Sequence, residues 1–192
     1  MKNPLILFLA FLFLVAGIQA GKAFCHVIPE DELRNQVYLS KKEALQQVFQ
    51  GIRKIRKETR KISSDQADRI GQIIGQNFPD RKWIFYSGEK DGGKLFATLG
   101  KAYANSHPPT DAKFILLIDS RGAIRDIHIM EYKGPQRAEM ISRGFLDQYV
   151  GKSADMDFST VTSNQGPTPT TQALTQAVRR LAVIFQTLYR EP

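Results

Sequence analysis

The chain has 192 residues, 27 Lys and Arg against 19 Asp and Glu, and a formal charge of +8. Its 42% hydrophobic and 24% charged residues match a soluble globular protein and exclude a disordered, collagen-like or polytopic membrane chain. One cysteine excludes a disulfide framework and an all-Cys zinc or iron–sulfur site.

The N-terminus reads as an address. Lys2 precedes an apolar run from Leu5 to Val15, with Ala16, Gly17 and Ala20 behind it. That is the layout of a secretory signal peptide, placed at residues 1–20. The run is short against the about 20 apolar residues of a membrane span. Cleavage after Ala20 or Ala23 is therefore expected, with a retained membrane anchor as the alternative. Lys22-Ala23-Phe24 does not prepare Cys25 for lipid attachment, so Cys25 is read as an unpaired thiol. These features predict an extracytoplasmic, periplasmic protein.

Residues 21–79 read as a helical N-terminal part. Ser40-Lys41-Lys42-Glu43 has the spacing of a capping box, and Leu45, Val48, Phe49, Ile52 and Ile55 follow at helical spacing. The expected helix runs from Lys41 to Arg56. Arg53, Lys54, Arg56, Lys57, Arg60 and Lys61 crowd its C-terminal end, where cations complement the helix dipole. They read as a solvated helix end, or as a docking patch for an acidic partner or anionic lipid. A second helix opens at Ser64-Asp65 and stops near Asn77, ahead of Pro79.

From Trp83 the period shifts toward two. Expected strands cover Trp83 to Tyr86, Leu95 to Tyr103, Lys113 to Asp119 and Ala123 to Tyr132, separated by turn residues. Phe145 to Lys152 reads as a short helix closed by Gly151. From Pro169, apolar residues recur at three and four through Leu188, the most regular helix in the chain. Helices, then strands, then a helix predict an α+β fold: an antiparallel sheet covered by helices, in a single domain after the signal segment.

Most catalytic patterns are missing from the sequence. His26, His107 and His128 are scattered and lack metal-ligand spacing, so no metal is expected. There is no phosphate-binding P-loop and no Gly-x-Ser-x-Gly elbow. Arg81-Lys82-Trp83-Ile84-Phe85-Tyr86 mixes cations and aromatics but reads as a half-buried strand, and no nucleic-acid partner is expected.

The informative segment is Gln165-Gly166-Pro167-Thr168-Pro169-Thr170-Thr171. Thr168 fits the N-cap of the last helix and Pro169 its first position. Free N–H groups of Thr170, Thr171 and Gln172, with the hydroxyls of Thr168, Thr170 and Thr171, favour a phosphate there. The same residues also describe an ordinary Thr-capped helix.

Here the sequence resembles the FMN-binding domain family, found in the covalent-flavin subunits of sodium-pumping NADH:quinone reductase and Rnf-type complexes and in small exported flavoproteins. Gln165-Gly166-Pro167-Thr168 lies on its Ser-Gly-Ala-Thr motif, with Gln165 in place of Ser and Pro167 in place of Ala. Ala173-Leu174-Thr175-Gln176-Ala177-Val178 is similar to its helix, Phe114 to Tyr132 to its hairpin, and Phe145 to Lys152 to its Phe-Leu-x-Gln-Phe-x-Gly-Lys segment. The resemblance implies an FMN-binding domain over residues 80–192, with FMN joined to Thr168 by a phosphoester. Gly166, Gln165, Thr170 and Thr171 would surround the phosphate, which Lys152 would approach; Phe145 and Tyr149, or Tyr132, would lie near the ring, with core packing as the other reading of the first two, and Glu131 would hydrogen-bond the flavin or its loop.

The implied protein is an electron carrier more than a stand-alone enzyme. A flavin transferase matures it, and its redox partner is a cytochrome or a membrane redox complex. The alternative is a secreted basic protein-binding module without flavin, using the Arg53–Lys61 face.

Overall fold

The computed structural model describes residues 34–190; the segment read as a signal peptide, Cys25 and His26 lie outside them. The strands are β1 (Gln36–Val37), β2 (Arg56–Lys61), β3 (Lys82–Lys90), β4 (Gly93–Ala104), β5 (Thr110–Asp119) and β6 (Ile124–Lys133). The helices are α1 (Lys41–Val48), α2 (Ser64–Ile74), α3 (Arg137–Met140), α4 (Arg143–Leu146) and α5 (Pro169–Tyr189). The six strands form one antiparallel sheet in the order β1-β6-β5-β4-β3-β2. This is the expected α+β architecture.

The sheet is covered on both faces, which explains the unbroken apolar run in β5. Successive strand residues point to opposite faces. Phe114, Leu116 and Ile118 join Ala67 and Ile70 of α2 and Leu174, Val178, Leu181 and Phe185 of α5 in the main core. Ile115 and Leu117 join Ala44 and Val48 of α1 in a smaller core on the other side. Phe185 sets its ring 5.1 Å from Phe96 and 5.8 Å from Phe85, pinning the C-terminal half of α5 to β3 and β4.

The first helix is shorter than its spacing predicts. The Ser40–Glu43 capping box forms, with Ser40 N–H donating to Glu43 Oε2 at 2.7 Å. The helix nevertheless stops at Val48 and a turn follows, with Gly51 at φ 82°. Residues 56–61 then form an edge strand in place of the expected helix end. Pairing with β3 overrides local helical preference. An edge strand exposed on both faces has no apolar alternation to reveal it, and only Glu58 of β2 is half-buried.

Residues 34–79 are therefore not a purely helical part. They supply β1 and β2, the two outer strands, to the same sheet. The α2 residues Ala67 and Ile70 share one core with α5, so position 80 marks no structural boundary.

β3, β4 and β5 run longer than expected, β3 most of all, β6 is shifted by one residue, and Asp91-Gly92 alone forms the β3–β4 turn. Residues 143–146 form α4, and Asp147–Tyr149 a 3-10 turn, where one helix from Phe145 was expected. No helix among the described residues is long and apolar enough to cross a membrane.

Candidate functional site

The start of α5 meets the end of β6 and the start of β5 at one end of the sheet. Thr168 has extended backbone and caps α5; Pro169 takes the first helical position, where a missing N–H costs nothing. The Thr168 hydroxyl accepts the Thr171 N–H at 3.2 Å. The Thr171 hydroxyl in turn accepts the Thr168 N–H at 2.9 Å and donates to the Thr168 carbonyl at 3.0 Å. The Gln172 N–H donates to that same carbonyl at 2.9 Å.

This accounting revises the expected anion site. Three free N–H groups were expected, yet the reciprocal cap consumes those of Thr171 and Gln172. Among the described residues, only the Thr170 N–H of the first turn lacks a partner. The hydroxyls are likewise divided. Thr170 is buried, with Oγ1 2.8 Å from Thr110 Oγ1, and Thr171 is buried and committed to the cap. Neither faces a ligand. Thr168 is half-buried, and its own proton reaches only long acceptors, Gln136 Oε1 at 3.5 Å and Thr171 Oγ1 at 3.3 Å. Such distances make weak hydrogen bonds. The Thr168 hydroxyl is thus the loosely held one of the three.

Two loops frame it. Gly134-Pro135-Gln136 leaves β6, with Gly134 at φ 153° and Gln136 at φ 58°. Gln136 Nε2 donates to Gln165 Oε1 at 2.5 Å, tying this turn to the loop before α5. The Asn164 N–H donates to the Glu139 carboxylate and makes a second tie. Gly166 closes a small turn in which its N–H donates to the Ser163 carbonyl at 2.9 Å and Ser163 Oγ donates to the Gly166 carbonyl at 2.8 Å. Gln165, Gly166 and Thr168 therefore do come together, and the site gains Gln136, which sequence reasoning missed. Gly134-Pro135 marked a turn there, but nothing in the pattern paired it with a loop 29 residues away.

The other nominated residues are each held by packing or pairing of their own. Tyr132 is fully buried; its hydroxyl donates to the Pro135 carbonyl at 2.5 Å and lies against Thr110 and Thr170. Burial pushes that phenol well above its ordinary range, so it stays neutral. Phe145 is buried edge-on against Tyr149 at 5.8 Å, and Tyr149 bonds Thr175 Oγ1 at 2.9 Å. Both are core packing and offer no open ring face.

Glu131 pairs with Lys113 at 2.6 Å, and that hydrogen bond holds its carboxyl below the usual range. It neighbours Tyr132 in β6 and so points to the opposite face of the sheet from α5. Lys152 donates to the Asp157 carbonyl at 2.6 Å and to Thr160 Oγ1 at 3.1 Å, which ties it to the 157–160 loop instead of Thr168. Tyr132 and Phe145 thus lie in the core, Glu131 in an ion pair on the other face of the sheet, and Lys152 against the 157–160 loop.

An open groove of about 670 Å³ starts at Pro167 and runs along α5. Gln172, Thr175, Gln176 and Arg179 form one wall, and Met156 and Phe158 stand on the other. Arg179 is exposed and makes no ion pair among the described residues. No cluster of three metal-ligating side chains occurs among the described residues. Compared with known proteins, the chain matches no family model, no curated protein and no solved structure.

Proposed function

We propose that the protein is an exported FMN-binding electron carrier whose flavin phosphate sits at the start of α5, esterified to Thr168. One observation carries the reading. Of the three hydroxyls at the helix start, only that of Thr168 is both accessible and free of a short internal bond. A phosphate there would meet the Thr170 N–H and the positive end of a 21-residue helix.

These residues fit the phosphate end of FMN. The Gln136 amide lies against Thr168 and is tied to Gln165, and the adjacent groove has room for a flat ring against Pro167, Met156 and Phe158. The protein's part is to bind, orient and tune. When bound, the flavin supplies one- and two-electron transfer, which joins hydride donors to one-electron carriers such as haem.

Export rests on the Lys2, Leu5–Val15 and Ala20 pattern, and maturation on a flavin transferase acting at the 163–168 loop, where Asn164, Gln165 and Pro167 are exposed. The test is a visible spectrum of protein exported from a host with such a transferase. A visible flavin absorption band supports the reading. A colourless protein contradicts it.

A further inference from the structure

Residues 53–61 read Arg-Lys-Ile-Arg-Lys-Glu-Thr-Arg-Lys, six cations and one carboxylate in nine positions. The structure puts six of these positions on β2, the end strand of the sheet. Among the described residues, β2 pairs with β3 alone. Its outer side is an open edge, and an open edge is a template for one more strand.

The direction of its backbone groups follows from the register. Lys61 stands opposite Lys82, so Ile62 stands opposite Arg81, and the Ile62 N–H donates to the Arg81 carbonyl at 2.9 Å. In an antiparallel ladder, alternate residues turn the same way. Arg60, Glu58 and Arg56 therefore face β3 with their backbone groups, while those of Lys57, Thr59 and Lys61 point outward.

The side chains alternate as well. Arg56 and Arg60 flank Glu58 on the α5 face, and Lys57 and Lys61 flank Thr59 on the other. Glu58 is satisfied internally by Ser87, Lys94, Tyr189 and Arg60, and Arg60 also lies over the Tyr189 ring. Arg53, Lys54, Arg56, Lys57 and Lys61 make no side-chain hydrogen bond or ion pair among the described residues. Arg53, Lys54, Arg56 and Lys94 line a groove of about 370 Å³ at the strand's entrance.

Charge selects the occupant. A second copy of this edge would set like charges opposite one another, which destabilises strand pairing. An apolar strand would leave Arg56 on one face and Lys57 and Lys61 on the other unanswered. An acidic extended segment completes the ladder at Lys57, Thr59 and Lys61 and sends carboxylates to both rows. We propose that the β2 edge docks an acidic, extended segment of a partner protein by strand addition, a binding mode in which main-chain bonds give affinity and alternate side chains give selectivity. The proposal does not depend on flavin.

The probe is a fluorescein-labelled peptide of about nine residues, alternating Glu and Thr, titrated with the full protein by anisotropy at about 50 mM salt. Saturable binding is expected. Thr59→Pro removes one outward N–H and leaves every cation in place; edge strands tolerate Pro at such a position. It should weaken binding about five-fold or more, and Lys57→Glu with Lys61→Glu about ten-fold or more. A peptide N-methylated at two adjacent amides, unable to complete a ladder from either edge, should also lose about five-fold.

If that peptide binds as well as the unmodified one, charge alone holds it and strand addition is wrong. This arm decides the matter even if Thr59→Pro does not fold. Absence of peptide binding, with binding only to phosphatidylglycerol vesicles, would make the surface a membrane face and overturn the proposal.

Discussion

Thr110, which opens β5, and Thr170, in the first turn of α5, hold their hydroxyl oxygens 2.8 Å apart, and both side chains are buried. This contact joins residues 60 positions apart and fixes the helix start against the sheet. Thr170→Val keeps the shape but leaves the Thr110 hydroxyl without that partner. It should cost about 1–3 kcal/mol, the range for a buried polar group deprived of its bond. Changing both residues to Val should recover part of the loss, because the Tyr132 hydroxyl keeps its Pro135 acceptor. Urea unfolding of the two single variants and the double variant measures the coupling.

Gly134 carries a second constraint on the same corner. Its φ of 153° suits glycine, and a Cβ there would lie 2.8 Å from Thr110 Oγ1 and 3.1 Å from the Tyr132 hydroxyl. Gly134→Ala should destabilise by about 1–3 kcal/mol through backbone strain and crowding together. Thermal unfolding followed by circular dichroism checks the direction. An unchanged melting temperature would show that the corner yields without cost.

Glu58 predicts a specific acid response. Burial raises its carboxyl, but hydrogen bonds from Ser87, Lys94 and Tyr189 and the Lys94 charge outweigh burial and hold it down at about 2, against an ordinary 4.5. A depressed folded value means the contribution is complete above about pH 4.5 and is lost as pH falls toward 2. The full shift is equivalent to about 3 kcal/mol, and solvent screening of this part-exposed carboxylate brings its contribution at neutral pH to about 1–2 kcal/mol. Glu58→Gln should lower neutral stability and flatten its dependence between those limits. Urea midpoints measured across that range, variant against wild type, isolate this group from the other carboxylates.

The leader gives a mass prediction. Lys2, the Leu5–Val15 run and Ala20 should direct export with loss of the first residues. N-terminal sequencing of envelope-derived protein should begin after Ala20 or Ala23. A start at Met1 would show an uncleaved anchor.

The sheet was legible in the sequence because β3 to β6 carry aromatic and β-branched runs between clear turn residues. The last helix was legible from its spacing and its Thr-Pro start, including Thr168 as N-cap. β2 was not, since a charged edge strand exposed on both faces has no periodic signature.

At the site, Gln165, Gly166 and Thr168 were legible because local turn and cap chemistry brings them together. Tyr132, Phe145 and Glu131 were less legible for a different reason. Their types suit a ligand as well as a core or an ion pair, and only strand register and packing decide which. Gln136 was invisible, since its contact with Gln165 depends on how two distant loops meet.

The central claim concerns one oxygen atom, Thr168 Oγ1. Wild type and Thr168→Val should be expressed with a flavin transferase, exported, digested and mapped by mass spectrometry. Thr168→Val keeps the size and costs about 1 kcal/mol of cap stability, so the variant should still fold. The account predicts an FMN-sized mass addition on the wild-type peptide containing Gly166 to Gln172, fragmenting to Thr168, and none on the variant. FMN mass on Thr170 or Thr171, or retained by Thr168→Val, would contradict it.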